Sequence, residues 1–305
     1  MTAVSHLQDL RIVDAHHHLW NLDENRYPWL TDRITTRVCG EYSAIRKNYL
    51  LEDFFRDAAE VNLVKSVHVQ AEHDHSDPVR ETRWLQAIAD RPDSRGFPHG
   101  IVAYADLSSP GAAEVLERHC ECANVRGIRQ MLHEAMVDPE RPAPSLFENA
   151  AWRRNFPLLE TFGLSFDLQV YHQQMEDARA LVLEHPKIQF VLTHTGQPAQ
   201  RDEEGIAGWR RGMRRLAELP NICVKISGAG MFDREWTVES LRPFVLGTIE
   251  IFSPGRCIFA SNFPVDGMMS GYTRLWAAYA DLTAGFTANE RERMFAGNAE
   301  RVYRI

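Results

Sequence analysis

The sequence predicts an α/β fold and, within that class, a single (β/α)8 TIM barrel spanning residues 1–305 with a long loop after its first strand. Three observations carry this. Short β-branched or apolar runs recur eight times, segments with helical apolar spacing lie between successive runs, and no Pro/Gly/Ser-rich linker divides the 305 residues. Eight such alternations suit one parallel barrel better than two doubly wound sheets.

The first run, RIVDA (11–15), is followed by an irregular stretch, 19–50, that contains the aromatic-rich NRYPWL (25–30). A loop of that length suits a lid or rim. KSVHVQ (65–70), GIVAYADL (100–107), VRGIRQML (125–132), LSFDLQV (164–170), IQFVLTH (188–194), ICVKISG (222–228) and RCIFAS (256–261) read as the remaining strands. LEDFFRDAAEV (51–61), AAEVLERHCECA (112–123), WRRNFPLLETF (152–162), QMEDARALVLEH (174–185) and WRRGMRRLAEL (209–219) carry helical spacing. Thr287 and Glu290 form a capping box ahead of a last helix that runs to Tyr303.

Apolar residues make up 44% and charged residues 25%, an ordinary globular balance. Lys and Arg number 34 against 42 Asp and Glu, a formal charge of −8, and no basic block stands out. That disfavours nucleic acid and anionic membranes and leaves a small molecule as the expected partner, with a homo-oligomer open. No basic segment leads into an apolar one at the N-terminus, and no run reaches membrane-spanning length, which points to the cytoplasm. Five cysteines without paired CxxC spacing read as reduced thiols.

Parallel barrels place their chemistry at the C-terminal ends of the strands. In IVDAHHHLW (12–20), strand alternation puts His16 and His18 on one face and His17 on the other. His194 ends the sixth run, the fourth gives Arg129 and Gln130, the fifth Asp167 and Gln169 and the seventh Lys225, and Asn262 follows the eighth. Gln70 ends the second and Glu72 follows it, and Trp29 sits in the long loop. Singly, each has a plain structural explanation: a rim histidine, an ion-paired arginine, a solvated charge run. Three histidines from distant segments are harder to explain, because imidazoles are costly to cluster unless something electron-poor shares the space.

DAHHHLW, YPWL, VQAEHD, GIRQML, FDLQV, LTHTGQP, VKISG, FASNFPVDG and FAGNAERVY, in this order, resemble the amidohydrolase superfamily. Within it, the chain is similar to the lactonase-like branch that includes sugar-acid lactonases and 2-pyrone-4,6-dicarboxylate lactonase. The resemblance implies a (β/α)8 barrel that hydrolyses a lactone or related cyclic ester of a sugar acid or aromatic-degradation intermediate. It also implies that His16, His18 and His194 either hold one weakly bound divalent metal such as Zn²⁺ or polarise the substrate carbonyl without one. Arg129 matches a position that contacts an anionic group. Lys225, Gln70, Glu72 and Trp29 complete the expected contacts to an anionic or polyhydroxylated substrate.

The chain departs from that pattern twice. Two-metal relatives carry a modified lysine or a glutamate near the end of strand four, where this chain offers Gln130. The aspartate that activates water after strand eight is replaced by Asn262, and a neutral amide cannot accept the proton. Asp266, four residues on, is the favoured substitute base, with a histidine of the trio as the alternative. A single-metal decarboxylase and a non-catalytic small-molecule-binding barrel are the competing readings.

Overall fold

The computed structural model describes residues 5–32, 34, 39–132 and 145–305. All eight runs form strands: β1 (Ile12–His17), β2 (Leu63–Val69), β3 (Gly100–Ala103), β4 (Val125–Ile128), β5 (Ser165–Leu168), β6 (Phe190–Leu192), β7 (Ile222–Ile226) and β8 (Cys257–Phe259). They lie side by side in chain order, each parallel to the next. The ring closes where His17 bridges Phe263. There the Asn262 N–H donates to the His16 carbonyl and the His18 N–H to the Phe263 carbonyl, both at 2.7 Å. The result is the (β/α)8 barrel that the alternation predicts.

Both faces of these strands are covered, which is why they read as nearly continuous apolar runs. Val13, Ala15, Val67, Val69, Val191 and Ile258 fill the inside of the ring, where small and β-branched side chains fit. Larger rings, among them Trp152, Phe156, Phe166 and Phe190, pack between sheet and helices.

Two helices differ from the sequence expectation. The stretch expected over 152–162 is broken into Ala150–Asn155 and Leu158–Thr161, because Pro157 has no N–H to continue the ladder. The Asn149 side chain caps the first piece. The Thr287–Glu290 capping box forms as expected, but a π-turn over Arg293–Gly297 intervenes before the helix reaches Tyr303.

That last segment plugs the ring from below. Ala296, Ala299, Val302 and Tyr303 pack against the inner strand residues. The Tyr303 hydroxyl donates to Asp167 at 2.8 Å, and the Lys225 ammonium donates to the other Asp167 oxygen at 2.6 Å. All three residues are fully buried. Among the described residues, no helix is long and apolar enough to cross a membrane.

Tyr303→Phe withdraws a donor from a buried carboxylate and is expected to lower stability by about 1–3 kcal/mol. The urea midpoint measures this, and an unchanged midpoint would show that the hydroxyl does not tie the plug to the barrel.

Candidate active site

The first strand does not alternate regularly. Ala15 faces the inside of the ring, and so does the next residue, His16, whose imidazole lies beside that of His194. Two successive inward residues require a local irregularity, and the register to β2 breaks between Asp14 and His17. His17 then faces outward, stacked on Phe54 at 4.2 Å with Nε2 2.9 Å from the Ser66 hydroxyl. Asp14 also faces away, accepting from the Ser261 N–H and hydroxyl and from the Tyr272 hydroxyl.

His16, His18 and His194 come together as a cluster. The His16 ring is 5.1 Å from that of His18 and 4.6 Å from that of His194, centroid to centroid. Burial, reinforced by neighbouring positive groups, holds His16 and His18 well below the ordinary histidine range, so both are neutral. His18 Nδ1 lies 2.7 Å from the Val69 carbonyl, which can only accept; Nδ1 therefore carries the proton and Nε2 the lone pair. Both ring nitrogens of His16 are buried without a hydrogen-bond partner among the described residues. His194 Nδ1 sits 3.1 Å from the Ser227 hydroxyl.

The strand ends carry backbone strain. Glu72, His194 and Asn262 have φ of 59°, 51° and 59°, a left-handed conformation that disfavours side chains by about 1–3 kcal/mol each. Gly228, itself at φ 65°, passes so close to His194 that an added Cβ would stand 2.6 Å from its Nδ1. Only glycine leaves room for that ring.

A cavity opens above the cluster, lined by His18, His194, Arg129, Glu72, Gln169 and Asn262 on its polar side. Trp29, Ala71, Met131, Met231, Val265 and Cys39 form its apolar side. Trp29 and Cys39 bring two described points of the long loop to the cavity rim. The apolar walls other than Trp29 escaped the sequence reading because methionine, alanine or valine at a loop position carries no distinguishing pattern.

Arg129 is fully buried, with Nη1 donating to Gln169 Oε1 at 3.1 Å and Nη2 to the Gln70 carbonyl at 2.5 Å. The turn after β2 is a hub. The Val69 carbonyl accepts from His18, that of Gln70 from Arg129, and that of Ala71 from Trp29 Nε1 at 2.8 Å. The Ala71 N–H donates to the buried carboxyl of Glu81 at 3.0 Å.

Several expected site residues lie outside the cavity wall. Lys225 is inside the ring beneath the histidines, engaged by Asp167, since an unpaired ammonium there would be prohibitively desolvated. Gln70 acts on Glu72 instead of facing the cavity: its oxygen accepts from the Glu72 N–H at 2.7 Å and its amide donates to the Glu72 carboxylate at 2.8 Å. Asp266 has not swung into the place of Asn262. It sits behind, fully buried, accepting from the Asn262 amide at 2.9 Å, and burial pushes its carboxyl up to about 7. Gln130 turns outward to accept from Trp152 Nε1. His16 lies beneath His18 and His194, one layer below the lining.

The donor chemistry of the trio fits a borderline cation such as zinc, for which neutral imidazoles are good ligands, and the orphaned nitrogens of His16 point the same way. Among the described residues, no three His, Cys, Asp or Glu side chains already stand at ligating spacing.

The chain belongs to the amidohydrolase family, whose model matches residues 13–305, and it is a hydrolase enzyme. It is 43% identical over 301 residues to the uncharacterized protein y4mH of Sinorhizobium fredii, covering 98% of this chain and 100% of that one. It is 24% identical over 310 residues to the L-fucono-1,5-lactonase of Burkholderia multivorans, covering 96% of each. The crystal structure of an amidohydrolase from Burkholderia multivorans with bound zinc superposes with a TM-score of 0.79 at 25% identity, covering 96% of this chain and 99% of that one.

Asn262→Asp would set two carboxyl groups against each other in a buried site where an amide now donates to Asp266. Turnover is expected to fall, and a gain on any substrate would mean that the amide has no role of its own. Glu81 gives a pH dependence. Burial raises its carboxyl from 4.5 to about 8, so its contribution is fully present below the unfolded value and is lost as pH rises towards the folded one. Relative to Glu81→Gln, wild-type stability is expected to fall by about 1.4 kcal/mol per pH unit across that window. Urea midpoints of the two proteins from pH 5 to 8 measure the difference.

Proposed function

We propose that the protein opens a lactone or related cyclic ester of a sugar acid or aromatic-derived acid. The observation that carries this reading is the lone pair of His18 Nε2, fixed by the Val69 carbonyl, in a cavity that also holds the buried guanidinium of Arg129. The similarity to an L-fucono-1,5-lactonase supports the same substrate class.

In this reading the cavity orients the ester carbonyl toward Arg129 and His194, whose positive and polar groups stabilise charge developing on its oxygen. His18 Nε2 takes a proton from water as the water oxygen bonds to the carbonyl carbon. The ring C–O bond then breaks, and the imidazolium returns that proton to the departing oxygen. The product is a hydroxy acid, with all atoms of the lactone and one water accounted for. Asp266, behind Asn262, holds the amide in place and does not itself reach the water. Glu72, fixed by Gln70, presents a carboxylate at the rim for substrate hydroxyls. A zinc ion held by His16, His18 and His194 would take up the His18 Nε2 lone pair, so it would supply Lewis-acid polarisation of the carbonyl in place of proton transfer to His18.

Proton release from a panel of sugar-acid and aromatic-derived lactones tests the reading, run with and without chelator. Turnover of at least one lactone is expected, with His194→Ala lowering the rate by about 10²–10³. A rate lost to chelator and restored by Zn²⁺ would assign the trio to metal binding, and a rate indifferent to chelator would leave polarisation to the protein's own groups. An unchanged rate in His194→Ala would overturn the assignment of that residue, and the absence of turnover across the panel would overturn the function.

A further inference from the structure

The structure assigns Glu81, a residue outside the cavity, as the positioning residue that holds the turn after β2 and, through it, the groups of the active site. We infer this from the hydrogen bonds that converge on four successive residues.

Glu81 lies on the helix Pro78–Ala89, on the side turned to the core, and is only 3% exposed. A carboxyl group there is costly to bury, and an apolar residue of similar size would suit the core better. Its carboxyl accepts from the N–H of Ala71. On either side of that N–H, the Val69, Gln70 and Ala71 carbonyls receive His18, Arg129 and Trp29, and the next residue, Glu72, has its backbone in the left-handed region. The Gln70 N–H on one side is held by the Val102 carbonyl and the Glu72 N–H on the other by Gln70 Oε1, so Glu81 fixes the central one of three successive peptides, whose carbonyls orient an imidazole, a guanidinium and an indole and whose end presents a carboxylate. All four side chains line the cavity, and Glu81 does not.

If the Ala71 N–H loses its acceptor, it is left buried and unpaired, and the turn must shift to find another partner. Displacement of reacting groups by about 1 Å can lower a rate by about 100-fold. Glu81 in its neutral form is matched in shape and acceptor by glutamine. Methionine fills the same space without an acceptor, and aspartate retracts the acceptor by one methylene.

The kinetic part of the test rests on the proposed lactone hydrolysis; the structural part does not. Glu81→Gln is expected to keep the wild-type kcat, while Glu81→Met and Glu81→Asp lower it by about 10- to 100-fold. The second readout is the Trp29 indole N–H resonance, identified among the seven tryptophans by its loss in Trp29→Phe, since that N–H donates to the Ala71 carbonyl. It is expected to shift in the methionine and aspartate variants and to stay in place in the glutamine variant. Should Glu81→Met fail to fold, Glu81→Asp, which retains the acid, decides alone. A folded Glu81→Met, or Glu81→Asp where methionine does not fold, that keeps either the wild-type Trp29 resonance or the wild-type kcat overturns the assignment, even if its melting temperature falls, because that pattern belongs to a simple core residue. If wild type turns over no lactone, the proposed function fails, and the Trp29 resonance still decides the role of Glu81.

Discussion

The structure depends on the seam between the first strand and the segment after the eighth. There the backbone N–H of Asn262 bonds the carbonyl of His16, and that of His18 bonds the carbonyl of Phe263. These two bonds close the ring, and the residues that make them also carry the site. Closure and chemistry are therefore not independent: the bond that seals the barrel sets the depth of His16, and the left-handed turn at Asn262 aims its amide at Asp266. Ser261, bound to Asp14 through both its N–H and its hydroxyl, reinforces the same seam from the outer side.

Charge is divided between two levels of the interior. Below, the ammonium of Lys225 is neutralised by Asp167 and capped by Tyr303, so this pair has no charge to offer a ligand. Above, Arg129 is held by a carbonyl and an amide oxygen, neither of which cancels its charge. Among the described lining residues that guanidinium shares the cavity with the carboxylate of Glu72, and after burial it is one reason His18 stays neutral. A carboxylate in place of Asn262 would alter that balance.

Much of the fold was legible in the sequence because strands buried on both faces leave unbroken apolar runs, and all eight were found on that signal. Helix boundaries were less so: Pro157 breaks a stretch whose apolar spacing runs through it, and the π-turn before Tyr303 leaves no mark in the residue pattern. Of the site, the His-x-His pair and His194 were visible because alternation and strand ends are sequence properties. Lys225 was misplaced because a strand's inward face has levels, and periodicity does not say which level opens to solvent. Asp266 was expected in the place of Asn262 and stands behind it for a related reason: whether a loop residue stands before or behind its neighbour is decided by tertiary packing. Met131 and Met231 shape the cavity without any chemical signal, and the role of Ala71 rests on its backbone, which no side-chain pattern reports.

The contact between Asp14 and Ser261 joins residues 247 positions apart. During folding, the first strand must wait for nearly the whole chain before its second neighbour arrives, and pairings at such separation are slow to form. The cavity exists only once that seam has closed, so an incompletely assembled chain has its histidines but no place to use them. Hydrolytic competence would then report on completed folding, with no separate device needed to keep immature molecules inert.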